Sequence, residues 1–211
     1  DLFVDEGPIV RTRGRMGNLL DEARAHPGGA WSKVPLAVLV NKASASASEI
    51  LAAALQDYRR AVIVGDSSTF GKGTVQTILD VARYMPFFSE KSRAGSLKVT
   101  IQKFYRIAGG STQLKGVVPD IHLPSRLDVL DIGEGSAKNP LPYDTIPARK
   151  FGPWRPDAFP IEDLNASVKS RLSANPEFQI IEDDSKRLKE RIDKNTVTLN
   201  LAEREKERLE I

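Results

Sequence analysis

The chain has 211 residues, 40% hydrophobic and 28% charged, with a net charge of +3 spread over interspersed acids and bases. That balance supports one large domain with a core, or a domain with an appendage, and without a long basic run or aromatic-basic motif it argues against a nucleic-acid partner. The absence of cysteine removes thiol catalysis, disulfides and thiolate metal sites, the two histidines (His26 and His122) rule out a His-rich metal site, and no run approaches the roughly 18 apolar residues of an integral membrane segment.

Residues 1–33 start with a short apolar stretch and become a polar loop, with Arg11–Asn18 and His26–Ala30 supplying the glycines and the proline of turns. Pro35–Val40 is short, continuous and apolar, the pattern of a buried strand. Residues 46–59 predict a helix rich in Ala and Leu. Ser46 and Glu49 stand at the spacing of a capping box. Ala61–Val64 predicts a second buried strand, and strand, helix and strand in that order imply a parallel crossover. Gly65–Gly73 is a loop. Thr74–Val81 and Leu97–Ile107 predict extended strands, and Gly116–Asp120 reads as a turn into a short edge strand over Ile121–Leu123.

Seven prolines between residues 124 and 160 imply an extended connection. Beyond it Ile161, Leu164, Val168 and Leu172 recur at helical spacing. Asn175-Pro176 breaks this helix, a second runs through Ile192, Val197, Leu199 and Leu201 alternate briefly, and Asn200 and Glu203 cap a last helix. The expected organisation is a partial catalytic core over residues 1–124, an extended Pro-rich connection over 125–154 and a helical region over 155–211. There is no internal repeat. The chain opens on Asp1-Leu2-Phe3-Val4, with no Met and no signal peptide, and reads as a piece of something longer.

Two segments carry chemistry: Ser44-Ala-Ser-Ala-Ser-Glu-Ile50 and Thr69-Phe-Gly-Lys-Gly-Thr-Val-Gln76. Each follows a buried strand, so both fall on the carboxyl edge of a parallel sheet, where ligands bind. Ser46 and Lys72 then both sit on that edge, with Ser46 at a helix N-terminus. A serine hydroxyl is a weak nucleophile until a base takes its proton. With histidine scarce, the candidate base is a lysine, whose charge a dry pocket disfavours. Phe70, Gly71, Gly73, Ala45 and Ala47 suit such a pocket, and the Ala47 N–H faces developing negative charge. By helix logic alone, an N-cap is the better reading of Ser46 and an exposed loop lysine the better reading of Lys72. A phosphate-binding loop is excluded, because Gly65 precedes Gly71 by one position too many and Gly73 follows the lysine where Ser or Thr is needed.

The stretch VLVNKASASASEILAAALQDYRRAVIVGDSSTFGKGTVQ resembles the C-terminal processing (tail-specific) peptidase family. LKVTIQKFYRIAGGSTQLKGVVPDIHLP and DLFVDEGPIV continue the likeness, and NPLPYDTI with the charged tail is similar to the Prc-type branch. The resemblance implies an α/β fold, a partial crotonase/Clp-like strand-strand-helix protease core with a helical C-terminal extension. It implies a serine endopeptidase with a Ser-Lys dyad: Ser46 as nucleophile, Lys72 as general base, Gln76 orienting the lysine and the Ala47 N–H as oxyanion donor. The loop Asp66–Thr69 is one residue longer than the family's usual loop, which leaves the lysine-to-glutamine spacing intact.

The resemblance further implies an exported, periplasmic enzyme with no cofactor and no metal, acting on proteins with nonpolar C-terminal tails. The helical tail is a candidate surface for an adaptor protein. Family members also carry a tail-binding PDZ domain and a glycine-rich segment that supplies a second oxyanion donor. Neither motif is in these 211 residues, so weak or no activity is expected of them alone. The alternative reading is a non-catalytic peptide-binding or scaffold module of the same fold.

Overall fold

The computed structural model describes residues 2–85, 94–154 and 159–209. Two sheets divide the first 123 residues. In the smaller, β3 (Ala37–Val40), β4 (Val62–Gly65) and β7 (Ile121–His122) lie parallel in the order β3-β4-β7. Helix α1 (Ala47–Asp57) makes the crossover from β3 to β4. Its inner face is nearly all small: Ala52, Ala53 and Leu55 pack with Val40, Ala61, Ile63 and Val117 into the core. Alanines let the helix axis approach the sheet, and Leu55, 2% exposed, fills the space between them. Truncating a buried leucine of this kind costs about 2–5 kcal/mol.

The larger sheet is antiparallel, in the order β2-β1-β6-β5, with β1 (Gly7–Gly14), β2 (Leu19–Ala25), β5 (Thr74–Asp80) and β6 (Ser96–Tyr105). Here the polar segment Arg11–Gly14, expected as a loop, is instead the second half of β1, paired to β6 from Arg11↔Tyr105 to Gly14↔Gln102. An antiparallel sheet tolerates one solvated face, so a strand in it needs no continuous apolar run. Arg11 is buried all the same and donates to the Arg106 carbonyl at 3.4 Å. Among the described residues of this mixed α/β fold, the β3-α1-β4 passage is the one strand-helix crossover; the larger sheet is two antiparallel pairs, β1-β2 and β5-β6, joined through β1 and β6, and the chain passes through the second pair between β4 and β7. Phe104, Tyr105 and Ile107 are buried, and Tyr58 at the end of α1 ties the helix to the larger sheet by donating to the Pro8 carbonyl of β1 at 2.9 Å.

After β7 the chain runs back across the core. Its main chain bonds Gly109 through Ile146, Ile107 through Arg149 and Tyr58 through Trp154. Three helices follow, α2 (Ile161–Ala174), α3 (Pro176–Lys194) and α4 (Leu201–Leu209). Asn175 caps α3, its side chain accepting from the Glu177 N–H with Pro176 in the first turn. Asn200 likewise accepts from the Ala202 N–H at 3.0 Å. Residues 195–200 form no strand, and Asn195 ends α3 in the left-handed region at φ 46°. Asn165 of α2 donates to the Asp120 carbonyl at 2.9 Å, and Arg126 pairs with Asp184 of α3. Residues 155–158, where the sequence places the start of the helical region, and 210–211 at its end lie outside the described residues. No described helix is long and apolar enough to cross a membrane.

Candidate active site

The loops after β3 and β4 emerge at the same carboxyl edge of the parallel sheet, as expected, and they are bonded together: the Phe70 N–H donates to the Ser44 carbonyl at 3.0 Å. Ser46 precedes the first residue of α1 with φ 57° and ψ −109°. An ordinary N-cap sits in the extended region. Ser46 is instead held in a conformation that non-glycine residues rarely adopt, a strain of about 1–3 kcal/mol that persists only where the surroundings enforce it. Ala47 is exposed as the first helical residue, so its N–H has no intrahelical acceptor.

The enforcing group is Glu49. Its side chain is fully buried and takes four hydrogen bonds. One carboxylate oxygen accepts from the Thr69 hydroxyl at 2.6 Å and the Gly71 N–H at 2.7 Å. The other accepts from the Ser46 N–H at 2.8 Å and the Lys72 N–H at 2.9 Å. A single oxygen atom therefore joins the main chains of the serine and the lysine. Thr69 is fixed in turn, its hydroxyl accepting from the Val117 N–H at 2.7 Å. Burial, the larger effect, pushes the Glu49 carboxyl above the ordinary carboxylate range, and the four donors pull it back.

Lys72 stands between two glycines that no other residue could replace in place. Gly71 has φ +88°, and a Cβ on Gly73 would come within 2.6 Å of the Gln113 nitrogen and closer still to the Ser111 hydroxyl. Every main-chain polar group from Gly71 to Gly73 is bonded. Besides the two N–H groups on Glu49, the Gly71 carbonyl accepts from the Leu114 N–H and the Lys72 carbonyl from the Thr112 hydroxyl. The Gly73 N–H donates to Gln113 Oε1 at 2.9 Å and the Gly73 carbonyl accepts from the Phe104 N–H. The Lys72 side chain reaches out of this rigid loop, and its Nζ donates to Gln76 Oε1 on β5 at 3.0 Å. Gln76 Nε2 leans on the Thr100 hydroxyl of β6 at 3.5 Å.

Ser46, Ala47 at the start of α1, Lys72 and Gln76 of β5 are thus linked through Glu49 and Lys72, although no hydrogen bond joins Lys72 Nζ to Ser46 Oγ among the described residues. The closed, dry pocket expected around Lys72 is not formed by them: Lys72 is half-buried and Ala47 exposed. Small residues line this edge and leave it open. Sequence reasoning took Glu49 only as half of a capping box, placed Thr69 in the lysine segment without a role and missed Gln113. The available signal was a glutamate on the otherwise apolar inner face of a helix, which demands partners.

Residues 1–123 match the profile of peptidase family S41, and residues 127–211 match that of the C-terminal domain of tail specific protease. The chain is 39% identical over 214 residues to the tail-specific protease of Haemophilus influenzae, which takes in 98% of this chain and 30% of that protein. It is 40% identical over 142 residues to the carboxy-terminal-processing protease of Bartonella bacilliformis, covering 65% of this chain and 30% of that protein. Among solved structures, a photosystem II D1 C-terminal processing protease aligns over 58% of this chain and 28% of its own, at 37% identity and a TM-score of 0.49. The chain spans 30% of the length of each of the two curated relatives.

Proposed function

The chain belongs to peptidase family S41, and on that premise we propose that it carries the nucleophile and base of a serine endopeptidase that selects proteins by nonpolar C-terminal tails. Ser46 Oγ attacks the scissile carbonyl carbon while its proton passes to the Lys72 amine, which must be neutral when it accepts. The carbonyl oxygen becomes an oxyanion that receives the Ala47 N–H. The tetrahedral intermediate collapses as the lysine ammonium hands its proton to the leaving amine, and water then cleaves the acyl-enzyme by the same route in reverse. Gln76 orients the lysine from β5.

The observation that carries this reading is the Glu49 carboxylate oxygen shared by the Ser46 and Lys72 main chains. A solvent-facing cap and an unrelated loop lysine need no such common anchor. The strained Ser46, which the same anchor enforces, agrees with it. Periplasmic residence and an adaptor on the helical region belong to the same proposal. So does low activity of these 211 residues alone: a missing second oxyanion donor lowers the rate by about 100- to 1000-fold.

The test uses the full-length protein. A fluorophosphonate probe should label it at Ser46, and cleavage of a quenched peptide with a nonpolar C-terminus should accompany labelling. Ser46→Ala and Lys72→Ala should abolish both, while Gln76→Ala should lower turnover. Undiminished cleavage by either of the first two variants excludes the mechanism.

A further inference from the structure

The loop that carries Lys72 is pinned from two sides. Glu49 holds its inner face; its outer face is held by the turn Ser111–Gly116 and, through that turn, by the chain returning after β7. Gln113 is the joint. It is fully buried, and its Oε1 accepts from the Gly73 N–H at 2.9 Å, at the peptide bond immediately after Lys72. Its Nε2 donates to Glu134 Oε1 at 3.2 Å and to the Leu141 carbonyl at 2.9 Å. Glu134 also reaches the other end of the same loop, its own N–H donating to the Phe70 carbonyl at 2.8 Å. Phe70 and Gly73 flank Gly71-Lys72, so one residue of the returning chain grips the lysine loop at both ends, once directly and once through Gln113. Leu114, next to the joint, is held at φ 66°, a conformation that the surrounding contacts must enforce.

We propose that Gln113 and Glu134 are positioning residues for the general base, making the returning chain a working part of the active site. The proposal rests on the reading of Lys72 as that base. A buried glutamine whose acceptor and both donors are committed between two chain segments has a defined geometric task. If Oε1 is removed, the Gly73 N–H loses its buried acceptor and the peptide after Lys72 is held on one side only, by the Thr112 hydroxyl on the Lys72 carbonyl. A lysine side chain magnifies a small main-chain shift at its far end, and a misplacement near 1 Å lowers a rate by about 100-fold. Glu134 acts on the same loop with a second lever: its main-chain bond to Phe70 survives any side-chain replacement, so only the Gln113 branch responds to mutation.

The experiment compares Gln113→Met, Glu134→Ala, Glu134→Gln and Lys72→Ala in the full-length protein. It measures fluorophosphonate labelling rate, kcat and KM on a quenched peptide with a nonpolar C-terminus, and thermal unfolding. Gln113→Met keeps the side-chain volume and should lower labelling and kcat by about 10- to 100-fold while KM stays within about 2-fold. Glu134→Ala should lower both by about 3- to 10-fold, and Glu134→Gln, which keeps an acceptor for Gln113 Nε2, should recover most of that loss. The proposal is overturned if Gln113→Met and Glu134→Ala are as active as wild type while Lys72→Ala is dead; the base then stands without these supports. It is equally overturned if losses track unfolding temperature and Glu134→Gln does not recover them, which is the behaviour of a purely structural contact. An active Lys72→Ala removes the base and this proposal with it. Should Gln113→Met fail to fold, the half-buried Glu134 pair decides alone.

Discussion

Replacing Glu49 should separate the two things its carboxylate does. In Glu49→Ala four donors lose their acceptor. The Ser46 and Lys72 amides lie near the open edge and can find water, and the Thr69 hydroxyl can rotate; the Gly71 N–H is buried and cannot. One buried orphan costs about 1–3 kcal/mol, and the cavity left by the side chain adds about 1–2 kcal/mol. The expected loss is therefore about 2–5 kcal/mol, with Ser46 freed from its strained conformation and labelling by a fluorophosphonate lowered by at least about 100-fold. Glu49→Gln is the sharper probe. An amide has one oxygen and one NH₂ to set against two pairs of donors. With its oxygen on Ser46 and Lys72, the NH₂ faces Thr69, whose oxygen can still accept, and only the Gly71 N–H is orphaned. The opposite orientation orphans both site amides. Glu49→Gln should thus lose about 1–3 kcal/mol yet keep most of its labelling. Urea unfolding and labelling kinetics on the full-length protein provide the two readouts. If Glu49→Ala labels at the wild-type rate, the shared anchor has no part in positioning the dyad, and the main support for the proposed function falls.

Gly73→Ala should be disproportionately harmful for a single methyl group. The new Cβ meets the Gln113 main chain and the Ser111 hydroxyl, so about 1–3 kcal/mol of stability should be lost by overpacking; a variant as stable as wild type in urea would contradict the close approach. Ser46→Gly should be more stable than Ser46→Ala by about 1 kcal/mol, because only glycine relieves the positive φ, and calorimetry of the two dead variants checks this. Acid should weaken the joint between the Ser67 loop and the returning chain. Burial pushes the Asp128 carboxyl up, but the hydrogen bonds from Ser67 and His122 outweigh it and hold it below the ordinary carboxylate value. Its contribution is therefore complete above that ordinary value of about 4 and is lost as pH falls through the lowered one. The stability gap between wild type and Asp128→Asn should close as pH falls below about 4; a gap that widens between about pH 5 and about pH 3 would reverse the sign.

Local order and the identities of the candidate residues were legible in the amino-acid sequence itself. The continuous apolar runs at Leu36–Val40 and Ala61–Val64 announce buried strands, and the alanine-rich stretch between them announces the crossover helix; β4 is buried as expected, whereas β3 is an edge strand whose Leu39 is 78% exposed. Two loops at one edge, one with Ser46 and one with Lys72, follow from that alternation alone. The three C-terminal helices were visible in their spacing and caps. What escaped is what depends on partners distant in the chain. Arg11–Gly14 is a strand because β2 pairs with it on one side and β6, about 90 residues later, on the other. Glu49 looks like a cap until Thr69 and Gly71 are brought against it, and Gln113 looks like a turn residue until Gly73 and Glu134 close around it. Periodicity reports the face that a residue shows to its own element. A buried polar side chain is defined instead by the donors and acceptors that folding delivers to it from elsewhere, and only the tertiary structure decides which those are.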